Sequence, residues 1–184
     1  FTVPQKQTDD VTQRLRWIPP GRFLMGSPES EKGRWDDEGP QHEATVGEGF
    51  WLFNTPCTQA LWEAVMGQNP SSSKGSERPV EQVSWDDCQE FVAKFAELVP
   101  ALPLQLPSET QWEYACRAGT ETSTYAGSFD PDDEASQEEL QRIAWYDRNS
   151  ESRTHDVAEL EPNSWGLHGM LGNVLDWCQD TWRD

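Results

Sequence analysis

Asn163-Ser-Trp-Gly-Leu-His-Gly-Met-Leu-Gly-Asn-Val-Leu-Asp-Trp-Cys-Gln-Asp-Thr-Trp182 carries the strongest structural signal in this chain. Gly166, Gly172 and Asn173 tolerate positive φ angles or the close approach of another backbone, which a looped chain needs where it enters a strand. Trp177 is a bulky ring whose N–H group needs a partner, and such rings suit junctions where long loops are held in place. The run therefore predicts irregular backbone anchored by aromatic side chains.

The overall composition agrees with that prediction. A length of 184 residues fits one domain, which buries roughly two thirds of the surface of its unfolded chain. Only 35% of the residues are hydrophobic, but ten Trp, seven Phe and three Tyr supply large contact areas. Because few aromatic side chains suffice to hold a loop-rich domain together, we expect a compact, irregular globule.

The chain is strongly acidic, with 33 acidic against 14 basic residues and a formal net charge of -19. Such a charge opposes stable docking on phosphate backbones or anionic lipid, so we expect neither nucleic acid nor a membrane surface as a partner. The acidity is interpreted as a device for solubility, with the binding of cations or of a basic partner as the alternative.

The cysteines and the first residues bear on the cellular setting. Cys57, Cys88, Cys116 and Cys178 are spread without CxxC spacing among apolar or helical neighbours. This pattern predicts free thiols and a cytoplasmic location, because secreted domains of this kind tend to show tighter pairing patterns. The start at Phe1 has neither a methionine nor a signal-peptide layout, so we expect the domain to have been excised from a longer protein.

Short strands are predicted in the first third of the chain. Apolar anchors around a Pro-Pro-Gly turn, followed by alternating patterns, place them within 16–27, His42–Val46 and Phe50–Phe53. The acidic stretch 129–140 is interpreted as an exposed insertion or a short surface helix, and 143–146 as a buried segment.

Three helix starts lie in between, each with its own capping signal. Thr58 is suited to cap a helix over 59–66 that Gly67 stops. Ser84–Asp87 and Ser108–Gln111 both fit capping boxes, and Gly119 is expected to close the third helix. The predicted apolar faces comprise Cys88, Phe91, Val92, Phe95 and Leu98 in the second helix and Trp112, Ala115 and Cys116 in the third.

Five blocks, in order, resemble the formylglycine-generating-enzyme (sulfatase-modifying factor) family and together span almost the whole chain. They are the segments 17–27, 58–59, 79–87 and 106–119 and the terminal signature, residues 163–182. The resemblance implies an α+β fold, a variant of the C-type lectin fold with a small twisted antiparallel sheet, flanking helices and much irregular loop. It also implies a single domain over 1–184 that lacks the C-terminal segment of the family's domains.

The resemblance implies two alternative functions. One is a non-catalytic module that binds a protein or another ligand within a larger bacterial protein, as a variable protein of a diversity-generating retroelement or as a regulatory domain fused to another. The other is a copper-dependent oxidase that converts a substrate cysteine to formylglycine. No residue here matches either copper-binding cysteine of the family, so copper is expected only if the absent segment carries that pair. We favour the binding module.

The family also carries calcium, and one of its sites maps onto the terminal signature. By position, Gly172 and Val174 would supply backbone carbonyls and Asp176 a carboxylate, which are hard oxygen ligands suited to Ca²⁺. The fourth ligand position falls on Gly169, which has no side chain.

Other polar residues are assigned architectural roles. The N–H groups of Trp85 and Trp112 need partners where loops are pinned, and Glu113 is expected to accept hydrogen bonds from backbone N–H groups. G-x-S-x-G, H-E-x-x-H and CxxC motifs and a Gly-rich phosphate loop are absent from the sequence, so other enzyme classes have no support. The three histidines are too scattered to predict an iron-binding triad by spacing: His42, His155 and His168.

Overall fold

The computed structural model describes residues 2–3 and 11–180. Within these ranges the chain forms six strands followed by four α-helices, with a short 3-10 helix (Asp36–Glu38) between the fourth and fifth strands. The strands are β1 (Thr2–Val3), β2 (Val11–Thr12), β3 (Leu15–Ile18), β4 (Gly21–Met25), β5 (His42–Val46) and β6 (Phe50–Phe53). The helices are α1 (Gln59–Met66), α2 (Trp85–Leu98), α3 (Glu109–Arg117) and α4 (Glu134–Ile143). None of these helices is long and apolar enough to cross a membrane.

The strands pair two by two into antiparallel ribbons, β1 with β2, β3 with β6 and β4 with β5. The β3–β6 ribbon places Trp17 opposite Trp51 and Ile18 opposite Phe50. Because side chains alternate between the faces of a strand, Ile18 enters the core while the tryptophan pair stands on the other face. The predicted strands are confirmed, and the Pro-Pro-Gly turn connects two different ribbons rather than the arms of one hairpin.

Two apolar clusters form the core. In the first, α3 packs on the β4–β5 ribbon, and the buried residues are Ile18, Val46, Tyr114, Ala115, Cys116, Leu167 and Met170. In the second, α1 packs on α2, and the rings of Trp62 and Phe91 stack with their centroids 5.1 Å apart. Helices flanking small antiparallel sheets confirm the α+β fold class.

The helix starts are confirmed by their cap geometry. The hydroxyl of Thr58 accepts a hydrogen bond from the backbone N–H three residues on, at 3.2 Å. Ser84 and Asp87 exchange hydrogen bonds in a capping box, with the Ser84 N–H donating to the Asp87 carboxylate at 2.8 Å. Ser108 and Gln111 do the same at 2.9 and 3.1 Å. These local side chains fix where three helices begin, as the sequence predicts.

One prediction about the helix ends is wrong. The apolar period of α2 predicts that Leu98 faces the core, but Leu98 is 53% exposed, and the next residue, Val99, packs against the second cluster instead. α3 ends at Arg117, and both Ala118, with a φ angle of 47°, and Gly119, with a φ angle of 91°, are left-handed, so Gly119 closes the helix as predicted. Ala118 is buried, so core packing offsets the cost of placing a residue with a Cβ in this conformation. The acidic stretch contains a surface helix, α4. The predicted buried segment 143–146, which begins with the last residue of that helix, is buried at Ile143 and Ala144.

Candidate functional site

Residues 174–177 of the terminal signature form the shared wall of two surface depressions, and we call them the signature ridge. On one side lies an apolar groove with a volume of about 210 Å³. On the other side lies a polar pocket of about 830 Å³. The segment that carries the strongest signal in the sequence therefore borders both concave surfaces.

The entry into the signature is held by Asn163, a buried polar residue. Its amide nitrogen donates to the carbonyls of Ala115 and Cys116, near the end of α3, at 2.8 and 3.2 Å. Its amide oxygen accepts from the backbone N–H groups of Trp165 and Leu167 at 3.0 and 3.2 Å. One side chain thus satisfies four backbone groups and ties the signature to α3.

The turn before the ridge requires the glycine that stands there. Gly172 has a φ angle of 73°, and a Cβ at this position would collide with the carbonyl oxygen of Trp145. That oxygen accepts from the N–H of Asn173, which also has a positive φ angle, at 2.8 Å. The Asn173 side chain in turn exchanges two hydrogen bonds with the backbone of His155. The close backbone approach and positive φ angles predicted for Gly172 and Asn173 are confirmed.

Three indoles fasten the end of the signature to the helices. Trp177 Nε1 donates to the carbonyl of Val83, just before α2, at 3.0 Å. Trp85 Nε1, in α2, donates to the carbonyl of Cys178 at 3.0 Å. Trp112 Nε1, in α3, donates to a carboxylate oxygen of Asp176 at 3.1 Å. The predicted loop-pinning role of these tryptophans is confirmed.

Glu113 also has the role that the sequence predicts. Its carboxylate accepts from the backbone N–H of Gly26 at 2.9 Å and pairs with the guanidinium of Arg117 at 2.7 Å. Arg117 in turn donates to the Gly26 carbonyl at 2.8 Å. This half-buried network attaches α3 to the end of β4 and lies outside both depressions.

The apolar groove is bordered by large side chains that face solvent. Leu175 is 99% exposed and Trp177 is 49% exposed. Trp51, on the same groove, is 59% exposed and meets Trp17 edge-on, with the ring centroids 5.4 Å apart. Such a concentration of exposed apolar rings on one face is uncommon on a soluble protein and marks a surface for interaction.

The polar pocket combines aromatic rings with carboxylates and hydroxyls. Its wall contains three residues that carry a buried polar atom without a hydrogen-bond partner among the described residues: Trp145 (Nε1), Tyr146 (Oη) and Thr154 (Oγ1). Nothing in the sequence pattern predicted this pocket, because its walls come from three segments that are distant along the chain.

The thiols are unsuited to chemistry at neutral pH. Burial raises the pKa of Cys88 and of Cys178 to about 11, and that of Cys116 to about 12. Burial, with a further contribution from Cys88, also raises the pKa of Cys57 well above its usual range. Because the thiolate is both the nucleophile and the metal ligand, these four free thiols are not poised for either role.

The histidines are held apart by backbone contacts. His42 and His168 each contact a carbonyl through Nδ1 at 2.9 Å, and His155 stacks on Trp145 with the ring centroids 3.8 Å apart. Within residues 11–180 no three His, Cys, Asp or Glu side chains come together as a metal-binding group.

Val174 and Asp176, two of the calcium ligands predicted from the resemblance, lie on the ridge, and Gly172 lies just before it, but the donor set is small. The Gly172 carbonyl accepts from the N–H of Val174 at 2.8 Å, and the carboxylate of Asp176 already accepts from an indole. Gly169 adds no side chain and approaches Pro56 instead. One carboxylate and two carbonyls fall short of the six to eight oxygens that Ca²⁺ takes. Calcium at this position stays a prediction.

Asp176 is exposed, but protein atoms crowd around its carboxyl. The resulting desolvation raises the pKa of this carboxyl. The hydrogen bond from Trp112 acts in the opposite direction. A cation bound nearby would stabilise the charged carboxylate and oppose this rise in pKa.

Comparisons with known proteins agree with these observations. A sequence model of the Sulfatase-modifying factor enzyme 1-like domain matches residues 1–184. Chaperone protein LppX of Paenibacillus barcinonensis is 27% identical over 73% of this chain and 66% of LppX. Formylglycine-generating enzyme of Mus musculus is 28% identical over 77% of this chain, which spans only 37% of that relative. Inactive C-alpha-formylglycine-generating enzyme 2 of Mus musculus is 24% identical over 90% of this chain and 68% of the relative.

Two solved structures share the architecture. PvdO from Pseudomonas aeruginosa superposes with a TM-score of 0.79 at 26% identity, covering 92% of this chain and 71% of PvdO. Treponema denticola variable protein 1 superposes with a TM-score of 0.74 at 26% identity, covering 99% of this chain and 77% of that protein. The fold inferred from the five sequence blocks is confirmed.

Proposed function

The chain belongs to the sulfatase-modifying factor enzyme 1-like domain family, and we propose that within this family it is a non-catalytic module that binds an apolar segment of a partner protein. The observation that carries the proposal is the exposure of Leu175 and Trp177 on the signature ridge, beside Trp51. Binding would remove these side chains from water, which contributes roughly 25 cal/mol of favourable free energy for each Å² of apolar surface buried.

The groove is pre-organised for such a segment. The indole hydrogen bond from Trp177 to Val83 and the edge-on contact of Trp51 with Trp17 hold the two exposed rings of the groove in place before a partner arrives. Rigid aromatic anchors lose little conformational entropy on binding, and tryptophan dominates the energetics of many protein interfaces.

Charge narrows the class of partner. The net charge of -19 favours the approach of a basic protein, and Asp176 places a carboxylate in the wall of the groove. The occupant that fits is therefore a segment with apolar anchors flanked by Lys or Arg. A place in a larger bacterial protein, as a regulatory or variable domain, is consistent with this role.

The names of two relatives are consistent with a non-catalytic role. One curated relative is called an inactive formylglycine-generating enzyme, and one structural neighbour is called a variable protein. Neither name identifies the ligand of this chain.

The alternative function is a copper-dependent oxidase that forms formylglycine from a substrate cysteine. The match to the Mus musculus formylglycine-generating enzyme favours it. The raised pKa values of the four described thiols disfavour any of them as a copper ligand at neutral pH, so the cysteine pair would have to lie outside residues 1–184. Formation of a peptide aldehyde from a cysteine peptide with Cu(I) and oxygen would establish the oxidase.

A displayed library of random peptides tests the binding proposal. We expect enriched peptides to combine Trp, Phe or Leu with Lys or Arg, and Leu175→Glu to abolish their binding. Leu98→Glu is the matched control, because Leu98 is also an exposed leucine but lies outside the groove. Enrichment of acidic peptides, or equal binding to the Leu175→Glu variant, would refute the proposal.

A further inference from the structure

The polar pocket on the other side of the signature ridge has a chemical character of its own. Three aromatic residues contribute to its wall: Trp145, Tyr146 and Trp177. Three carboxylate residues also contribute: Glu81, Asp147 and Asp176. From this combination we infer that the pocket is a binding site for an organic cation of the guanidinium type.

Aromatic faces and carboxylates together select a flat, delocalised cation. The negative face of an aromatic ring attracts a cation within about 6 Å of its centre. A guanidinium also stacks on rings through its plane and offers five N–H donors in that plane, whereas an ammonium offers a compact and strongly hydrated charge. The pocket is wide enough, at about 830 Å³, to take such a group with part of the chain that carries it.

The one basic residue of the wall does not neutralise these acids. Arg153 pairs with the carboxylate of Glu151, which lies outside the lining, at 2.9 Å. Glu81 accepts from the backbone N–H of Ser73 at 2.7 Å, which fixes the carboxylate while leaving its charge in place. The pocket therefore keeps an excess of negative charge, and the net charge of -19 adds long-range attraction for cations.

The unpartnered polar atoms carry the inference beyond a cluster of acids. Tyr146 Oη and Thr154 Oγ1 are shielded from water and have no hydrogen-bond partner among the described residues. Such groups are rare in folded proteins, and each one calls for a water, an ion or a ligand. A hydroxyl oxygen accepts from an N–H, so both oxygens suit the donors of a guanidinium.

The third unpartnered atom indicates what accompanies the cation. Trp145 Nε1 is a donor and needs an acceptor, which a bare cation does not have. An arginine residue supplies both, a guanidinium for the hydroxyls and a backbone carbonyl for the indole. Trp145 is also held rigidly, because its ring stacks on His155, whose Nε2 contacts the Ser150 carbonyl at 2.9 Å.

Titration calorimetry with small probes tests the inference on the 184-residue chain. The probes are N-acetylarginine methylamide, its neutral citrulline analogue and ethylguanidinium. We expect saturable binding of the arginine probe, weakened by salt, and at least about tenfold weaker binding of the citrulline probe. Equal affinity for arginine and citrulline probes, or no saturable binding of either cation, would overturn the inference.

The probes also separate the two sources of a guanidinium. Tighter binding of the arginine probe than of ethylguanidinium points to an arginine side chain of a protein, because only the former carries carbonyls for Trp145. Equal binding of the two cations points to a small free guanidino compound. Both results uphold the cation site.

Three variants test the named contacts. Tyr146→Phe and Thr154→Val each remove an unpartnered hydroxyl, so we expect an equal or higher Tm together with weaker binding of the arginine probe. Asp147→Asn should weaken binding several-fold, whereas Asp132→Asn, at an exposed aspartate outside the pocket, should not. A higher Tm with unchanged binding in both hydroxyl variants would assign those atoms a purely structural role and contradict the inference.

Discussion

Replacing Asn163 by alanine should destabilise the domain more than any surface substitution. In the folded protein this amide serves two carbonyls at the end of α3 and two N–H groups at the start of the signature. The residue is only 4% exposed, so water would not readily replace the lost contacts. The Asn163→Ala variant would leave these backbone groups buried and unsatisfied.

The size of the effect follows from these contacts. Each hydrogen bond contributes about 1 kcal/mol net, and two of the four are long at 3.2 Å, so the expected loss is roughly 3–4 kcal/mol. A domain of this size has a total stability of about 5–15 kcal/mol. The corresponding fall in Tm is roughly 6–16 °C, at about 2–4 °C for each kcal/mol.

Urea and thermal unfolding followed by circular dichroism measure this loss. Gln68→Ala is the control, since Gln68 is an exposed amide and its removal should change stability by less than about 0.5 kcal/mol. Asn163→Asp separates the two halves of the interaction, because it keeps the acceptor but loses the donors to the α3 carbonyls. A loss below about 1 kcal/mol for Asn163→Ala would refute the argument that this side chain ties the signature to α3.

Three further results are expected. Asp176→Asn keeps an acceptor for the Trp112 indole and removes a carboxylate whose pKa is raised by desolvation, so in the absence of calcium the variant should have a higher Tm than the wild type. If calcium binds as predicted, it should raise the Tm of the wild type but not that of the variant. A wild-type Tm that changes neither with calcium nor with a chelator rejects that site. The hydrogen bonds from Ser84 lower the pKa of Asp87, so the charged carboxylate stabilises the folded protein above the unfolded-state pKa of 3.8, and this stabilisation is lost as the pH falls through the lower folded-state pKa. Asp87→Asn should therefore reduce the fall in Tm at acidic pH. An unchanged dependence of Tm on pH would contradict this. Because the pKa of Cys88 is raised to about 11, this thiol should react with Ellman's reagent near neutral pH at least about 100-fold more slowly in the native protein than in the unfolded chain. Fast labelling of the native protein would show that Cys88 is reactive.

Features set by neighbouring residues were predictable from the sequence. Ser84 and Ser108 open their helices because each cap and its partner lie three residues apart, within reach of any chain that starts a helix there. The positive φ angle at Gly172 was predictable for the same reason, since few other residues adopt that conformation without strain.

Features set by distant residues were not predictable in this way. Local patterns place Trp17 in a strand, but they do not show that its ribbon partner is Trp51 rather than a residue beyond the Pro-Pro-Gly turn. The left-handed conformation of Ala118, directly before the predicted Gly119, occurs at a buried position that local patterns do not reveal. Leu98 matches the apolar period of α2, but the contact with the core is made by Val99 instead.

The candidate site was also only partly predictable from the sequence. The signature residues at the ridge were identified from their sequence, whereas the polar pocket was not. Its unpartnered atoms belong to Trp145, Tyr146 and Thr154, which look unremarkable in sequence, and the opposite wall comes from residues 72–83. Only the folded chain brings these segments together.

The indole hydrogen bonds also constrain the order in which the domain forms during synthesis. Trp85 and the Cys178 carbonyl are 93 residues apart in the chain, and Trp177 and the Val83 carbonyl are 94 apart. A ribosome delivers α2 long before it delivers the residues that fasten it, and contacts of such long range form slowly. The emergence of residue 178 therefore sets the earliest moment at which the nascent domain can close.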